Sequence, residues 1–194
     1  MILIFATHND YKVIELRKLL PTEIKLYSIT DIACHEEIPE TGNSLEANAK
    51  IKADYVKYKY GLDCFADDSG LEIEVLGGAP GVHSARYAGD QKDNEANIKK
   101  VWKELKGKSN TKACFKTQIY AHIYNQSFSF EGRVDGKIIL ESKGLGGFGY
   151  DPIFIPKGYD KTFAELGEEI KNKISHRAIA VASFLSTLQH IYNK

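Results

Sequence analysis

Neither sign of charge is in excess. The 26 Lys and Arg residues stand against 26 Asp and Glu, so no global positive field draws the chain onto nucleic acid or an anionic membrane, and any cationic site must be local. Long apolar runs are also missing. The opening Met1-Ile2-Leu3-Ile4-Phe5-Ala6 has no basic leader and is too short for a signal segment or a membrane span, which makes a cytoplasmic protein with no membrane partner the expectation. Cysteine is scarce: Cys34, Cys64 and Cys114 are odd in number and far apart, which fits reduced thiols better than a disulfide framework or a zinc site. Fixed-period repeats, low-complexity segments and linkers rich in Pro or Ser are absent, and 194 residues suffice for a sizeable core.

What is present is an alternation of strand and helix patterns, which predicts an α/β or α+β protein. Met1 to Ala6 reads as a strand covered on both faces, followed by a helix from Asp10 to Leu20 that Pro21 stops and a returning strand from Ile24 to Ile29. A second helix runs from Asn43 to Tyr60 with Gly61 at its end. Leu62–Ala66 and Leu71–Leu76 read as two strands around a polar turn. Residues 77–89 form a loop, and a polar helix covers Asn94 to Leu105. Lys112–Tyr124 and Ser127–Ile139 alternate as a long antiparallel hairpin joined at Asn125-Gln126; Ile153–Ile155 is a further strand, and Ser175 to Tyr192 is a helix.

Several motifs carry chemistry. Ala66-Asp67-Asp68-Ser69-Gly70-Leu71 ends an apolar stretch with adjacent carboxylates, the outline of a hard-cation site, since magnesium is held by one or two carboxylates plus the substrate's phosphates. In an extended chain at most one of Asp67 and Asp68 faces such a site; the same residues also suit a polar turn. Thr7-His8-Asn9-Asp10-Tyr11-Lys12 lies between the first strand and helix, where free N–H groups and Lys12 favour an anion, although the glycines of a P-loop are missing. Equally, Asn9 or Asp10 caps the helix and Lys12 is solvated. Glu40 closes the acidic stretch Glu36-Glu37-Ile38-Pro39-Glu40. Glu46, three places after Asn43, resembles a capping box. Lys52 sits among apolar positions of a helical face, where an ammonium needs an anionic partner or a route to water.

Gly144-Leu145-Gly146-Gly147-Phe148-Gly149-Tyr150-Asp151-Pro152 is not a dinucleotide fingerprint, because a strand rather than a helix follows it. Glycines flanking two aromatics suit a loop that brings a ring to a flat ligand, or else a tight turn packed by its aromatics. Lys171, His176 and Arg177 cluster near the start of the last helix, where cations oppose the dipole and are more easily explained by a bound anion or acceptor than by stability.

Taken in order, these motifs resemble the inosine/xanthosine triphosphate pyrophosphatases, together with Glu46-Asn48-Ala49, Gly77-Gly78-Ala79-Pro80-Gly81 and Ser84-Ala85-Arg86-Tyr87; the likeness runs nearly end to end. The resemblance implies an α/β fold over residues 1–194, two-lobed, with a long twisted mixed sheet and a central cleft, and a homodimer. It implies Mg²⁺-dependent hydrolysis of aberrant purine nucleoside triphosphates such as ITP, dITP and XTP to monophosphate and pyrophosphate. Asp68 matches the family's proton acceptor, Glu40 and Asp68 its metal carboxylates, and Thr7, His8, Asn9, Asp10, Tyr11, Lys12 and Lys52 its phosphate side. Ser69, Phe148, Gly149, Tyr150, Asp151, Lys171, His176 and Arg177 match its nucleotide pocket, with the aromatics stacking on the base. His8 stands where the family often has glycine. A nucleotide-binding regulator without turnover and a pyrophosphatase of modified pyrimidines are the alternatives.

Overall fold

The computed structural model describes residues 1–192; the last two residues of the expected 1–194 domain lie outside them. The chain runs β1 (Ile2–Phe5), α1 (Asp10–Leu19), β2 (Lys25–Ser28), α2 (Leu45–Tyr60), β3 (Cys64–Ile73), α3 (Asn94–Leu105), β4 (Lys112–Ile123), β5 (Gln126–Ile138), β6 (Phe154–Pro156), α4 (Phe163–Ile174) and α5 (His176–Tyr192). The strands form a six-stranded mixed sheet in the order β2-β1-β3-β4-β5-β6, and the fold is α/β. β1 is parallel to β2, with Ile2 opposite Lys25, and parallel to β3, with Ile4 opposite Cys64, whereas β6 is antiparallel to β5.

Two compact units emerge, one of Met1–Asp68, Thr117–Glu131 and the chain from Ala178, the other of Ser69–Lys116 and Gly132–Arg177. In the first unit strand alternation sorts the core. Leu3, Phe5 and Phe65 pack with Val13 and Leu16 of α1 and Val181 and Phe184 of α5. Ile4, Ala6, Cys64 and Ala66 turn the other way, onto Ala53 and Val56 of α2. Both faces are covered, as parallel strands require. The core of the second unit gathers Leu71 and Ile73 of β3, Ala113 and Phe115 of β4, Ile98, Val101 and Leu105 of α3, and Phe154 and Phe163.

Several expectations are corrected. The two strands around a polar turn are one strand, β3, running through Asp67, Asp68, Ser69 and Gly70. Turn-forming residues are tolerated there because each has a partner across the strand. Gly70 in particular admits the backbone of Gly81, whose carbonyl oxygen would lie 2.5 Å from an added Cβ. The strand ends at Ile73, with a short 3₁₀ turn over Glu74–Leu76. The hairpin turns one residue early, at Tyr124-Asn125, both with positive φ (46° and 64°), the conformation that matches the strand twist in a two-residue connection. Sequence patterning missed α4, whose backbone breaks at Gly167 (φ 78°, ψ 171°) and so lacks an uninterrupted helical period.

Candidate functional site

In the first unit, α1 starts at Asp10, so Asp10, Tyr11 and Lys12 occupy its first turn rather than a loop. Asn9 caps it, its Oδ1 accepting from the Lys12 N–H at 3.2 Å, while the Thr7 hydroxyl oxygen accepts from the Asn9 N–H at 3.1 Å. Capping and charge placement therefore coexist. Lys12 is not merely solvated, because its ammonium lies 2.7 Å from Asp67 Oδ1, and the Asp67 side chain is 1% exposed. Tyr11 is 68% exposed and Asp10 is exposed. His8, also exposed, donates from Nε2 to the Glu36 carbonyl at 3.0 Å, tying the first loop to the acidic stretch.

Alternation along β3 sends Asp68 to the opposite side from Asp67, toward α2. There Lys52 is buried, and its Nζ lies 2.8 Å from Glu40 Oε1, 3.7 Å from Asp68 Oδ1 and 2.7 Å from the Asp67 carbonyl oxygen, to which it donates. That answers the question its sequence position raised. Burial pulls the Lys52 ammonium toward neutrality, but Asp68, Glu40 and Asp67 outweigh it and hold its pKa above the ordinary lysine value. Burial pushes the Asp68 carboxyl above the usual carboxylate range, against the pull of Lys52 and Lys12. The helix cap here is Ser44, not Asn43: Ser44 Oγ accepts from the Ala47 N–H, and Glu46 instead accepts from the Ser129 hydroxyl at 2.8 Å.

The second unit holds a separate polar cluster. Arg177, 1% exposed, donates from Nη2 to Ser69 Oγ at 3.2 Å. Lys171 Nζ lies 2.7 Å from Asp151 Oδ2, and the Phe148 N–H donates to the same oxygen at 2.8 Å, closing the loop onto its own carboxylate. Gly147 makes this turn possible: its φ is 74°, and an added Cβ would collide with the Asp151 carboxylate. The Phe148 ring, half-buried, has Lys171 Nζ 4.5 Å and Arg177 Cζ 5.8 Å from its centroid. His176 stacks on Phe115 at 4.7 Å between centroids. Tyr150 departs from the expectation of a stacking ring: it is buried in the core and its hydroxyl donates to the Ser84 carbonyl at 2.7 Å, so it anchors the loop from beneath. Gly149 has φ 62°.

The sequence profile of the Ham1 family matches residues 3–187, nearly the whole chain. The chain belongs to the Ham1 family. Relatives of this Ham1 chain include the dITP/XTP pyrophosphatase of Flavobacterium psychrophilum, 51% identical over 95% of the chain and 97% of that protein. That of Bacillus subtilis is 48% identical over 96% of each. Among solved structures, the Ham1 protein of Staphylococcus aureus superposes with a TM-score of 0.90 at 34% identity, covering 98% of this chain and 99% of that one. The dITP/XTP pyrophosphatase of Mycobacterium abscessus gives a TM-score of 0.78 at 40% identity over 95% and 99%.

Two residues of this Ham1 chain's charge network were not singled out as site residues by the sequence. Asp67 holds Lys12, and Asn48, 1% exposed, donates from Nδ2 to Asp68 Oδ2 at 3.1 Å. The available signal was a buried-face position for each, since a polar group there needs a partner. No group of three or more His, Cys, Asp or Glu residues among the described residues forms a protein-only metal cage. Glu40 and Asp68, however, converge on one ammonium. A pair of carboxylates that accepts one shared cation suits magnesium, which takes one or two carboxylates and completes its shell with phosphate oxygens and water.

Proposed function

We propose that this chain is a nucleoside triphosphate pyrophosphatase that hydrolyses dITP, XTP and ITP to the monophosphate and pyrophosphate. The observation that carries the reading is the network of the first unit, in which Lys12 and Lys52 are each held by buried carboxylates of β3 beside Glu40. Lys12, Lys52 and the donors of Thr7–Lys12 bind the phosphates; Glu40 and Asp68 are the residues that hold Mg²⁺. Held by those two carboxylates, Mg²⁺ would supply positive charge to offset that of the departing pyrophosphate.

Asp68 takes a proton from water, whose oxygen forms the new bond to the α-phosphorus. The bond from that phosphorus to the bridging oxygen breaks, and the electron pair leaves with pyrophosphate. Burial raises the proton affinity of Asp68, which supports its use as a base, and the Lys52 charge opposes that rise by favouring the ionised form. In the second unit the buried donors of Lys171, His176 and Arg177 suit a 6-oxo purine, and the Phe148 face suits a flat base. A hydrogen-bonding site can reject a mismatched analogue by up to roughly 10⁴–10⁵-fold, so discrimination against adenine is within reach of such donors. The reading also includes a cytoplasmic homodimer, supported by the family resemblance. Among the described residues no helix is long and apolar enough to cross a membrane.

The test is product analysis with ITP, dITP and XTP against ATP and GTP, with and without Mg²⁺. Pyrophosphate and monophosphate from the inosine and xanthosine substrates is the expected result. Orthophosphate, or equal turnover of ATP and GTP, overturns the pocket assignment; binding without turnover overturns the assignment as an enzyme.

A further inference from the structure

Asparagine is a mediocre helix former, and a buried amide without partners is costly, so Asn48 in the first turns of α2 at 1% exposure calls for an explanation. Its side chain is committed on both ends. Oδ1 accepts from the Gly42 N–H at 2.8 Å, and Nδ2 donates to Asp68 Oδ2 at 3.1 Å. The amide has one possible orientation, because a backbone N–H only donates and an ionised carboxylate only accepts. The fit is close on the loop side: an added Cβ at Gly42 would lie 2.7 Å from Asn48 Oδ1 and 2.7 Å from Ala47 Cβ.

Lys52 lies one helical turn further along the same face of α2. It joins Glu40 Oε1 to Asp68 Oδ1, whereas Asn48 joins Gly42 to Asp68 Oδ2. The two side chains are parallel rungs between the 40–42 loop and one carboxylate. Lys52 supplies charge. Asn48 supplies direction, since a neutral donor on one oxygen sets the rotation of the carboxylate about its Cβ–Cγ bond and leaves the other oxygen toward the ammonium.

We propose that Asn48 is a positioning residue for turnover: it aims the Asp68 carboxylate and locks it to the loop that carries Glu40. This rests on the reading of Asp68 as the proton acceptor. A group that only holds the loop needs the acceptor toward Gly42, whereas a group that aims Asp68 needs the donor, and Asn48→Asp separates the two. It preserves shape and the Gly42 acceptor but replaces the donor with an oxygen facing Asp68. The expected result is a fall in kcat with dITP of about 10- to 100-fold, the scale of a small misplacement of a reacting group, with KM changed by less than about twofold. Unchanged kcat in a folded Asn48→Asp protein overturns the proposal.

Asn48→Ala, measured alone and combined with Asp68→Asn, completes the test and serves where Asn48→Asp does not fold. Acting through Asp68, Asn48→Ala lowers kcat in the wild type and adds nothing to Asp68→Asn. Equal factors in both backgrounds overturn the positioning role while leaving the base assignment intact. Near-normal turnover of Asp68→Asn alone overturns the base assignment, and the proposal with it.

Discussion

At the scale of single residues, the network is built from buried and half-buried charges that are each paired, and removing one partner exposes what the pairing does. Asp68→Asn keeps the shape and the Asn48 donor's acceptor but removes the carboxylate that the proposed function uses as its base. Turnover of dITP is expected to fall about 10²–10⁴-fold, with the circular dichroism spectrum unchanged. Lys12→Ala has two consequences because its partner Asp67 is 1% exposed. On the proposed function, weaker phosphate binding is expected to raise KM. Leaving a buried carboxylate without its cation costs about 3–5 kcal/mol, read as a lowered midpoint in urea unfolding. A variant with full stability would show that Asp67 finds another partner.

Among the elements, α2 carries both Asn48 and Lys52, and its start is set by one hydroxyl, Ser44 Oγ accepting from the Ala47 N–H at 3.1 Å. Ser44→Ala is expected to cost about 1 kcal/mol in urea denaturation. The loop of residues 144–151 is a second sensitive element. It bends at Gly147 so that Asp151 can receive both the Phe148 N–H and Lys171. Gly147→Ala forces a side chain into that carboxylate at a positive φ. KM for dITP is expected to rise with kcat changed less, since the loop belongs to base recognition in the proposed function. An unchanged KM would assign the loop to structure alone.

For the whole molecule the expected behaviour is that of a metal-dependent enzyme. On the proposed function, EDTA is expected to abolish pyrophosphate release and Mg²⁺ to restore it, because Glu40 and Asp68 without a dication would repel the phosphates of a bound substrate. Turnover unaffected by chelation would exclude the two-carboxylate site. Sedimentation equilibrium is expected to give twice the chain mass, and a monomer at micromolar concentration would remove the homodimer from the reading.

How much was legible in the sequence follows from the physics of each feature. Local periodicity and capping chemistry are written in neighbouring residues, so β1, α1, α2, α3, the β4–β5 hairpin and α5 could be read directly, and the ordered motifs identified the family. Asp67-Asp68-Ser69-Gly70 could not be read as strand, because its residues disfavour extended structure in isolation. Their partners Lys12, Lys52, Asn48 and Arg177 lie from 15 to 108 positions away along the chain. The interruption at Gly167 hid α4 for a local reason, by breaking its period. Tyr150 looked like a stacking ring because sequence records that an aromatic is present but not which way it turns; packing sent it to the core and left Phe148 on the loop. The sequence by itself determined the element types, the family and the inventory of charged groups. Only the tertiary structure decided which cation meets which carboxylate and that Asn48 stands behind Asp68, since such pairings are made by long-range packing that alternation along β3 directs to opposite sides.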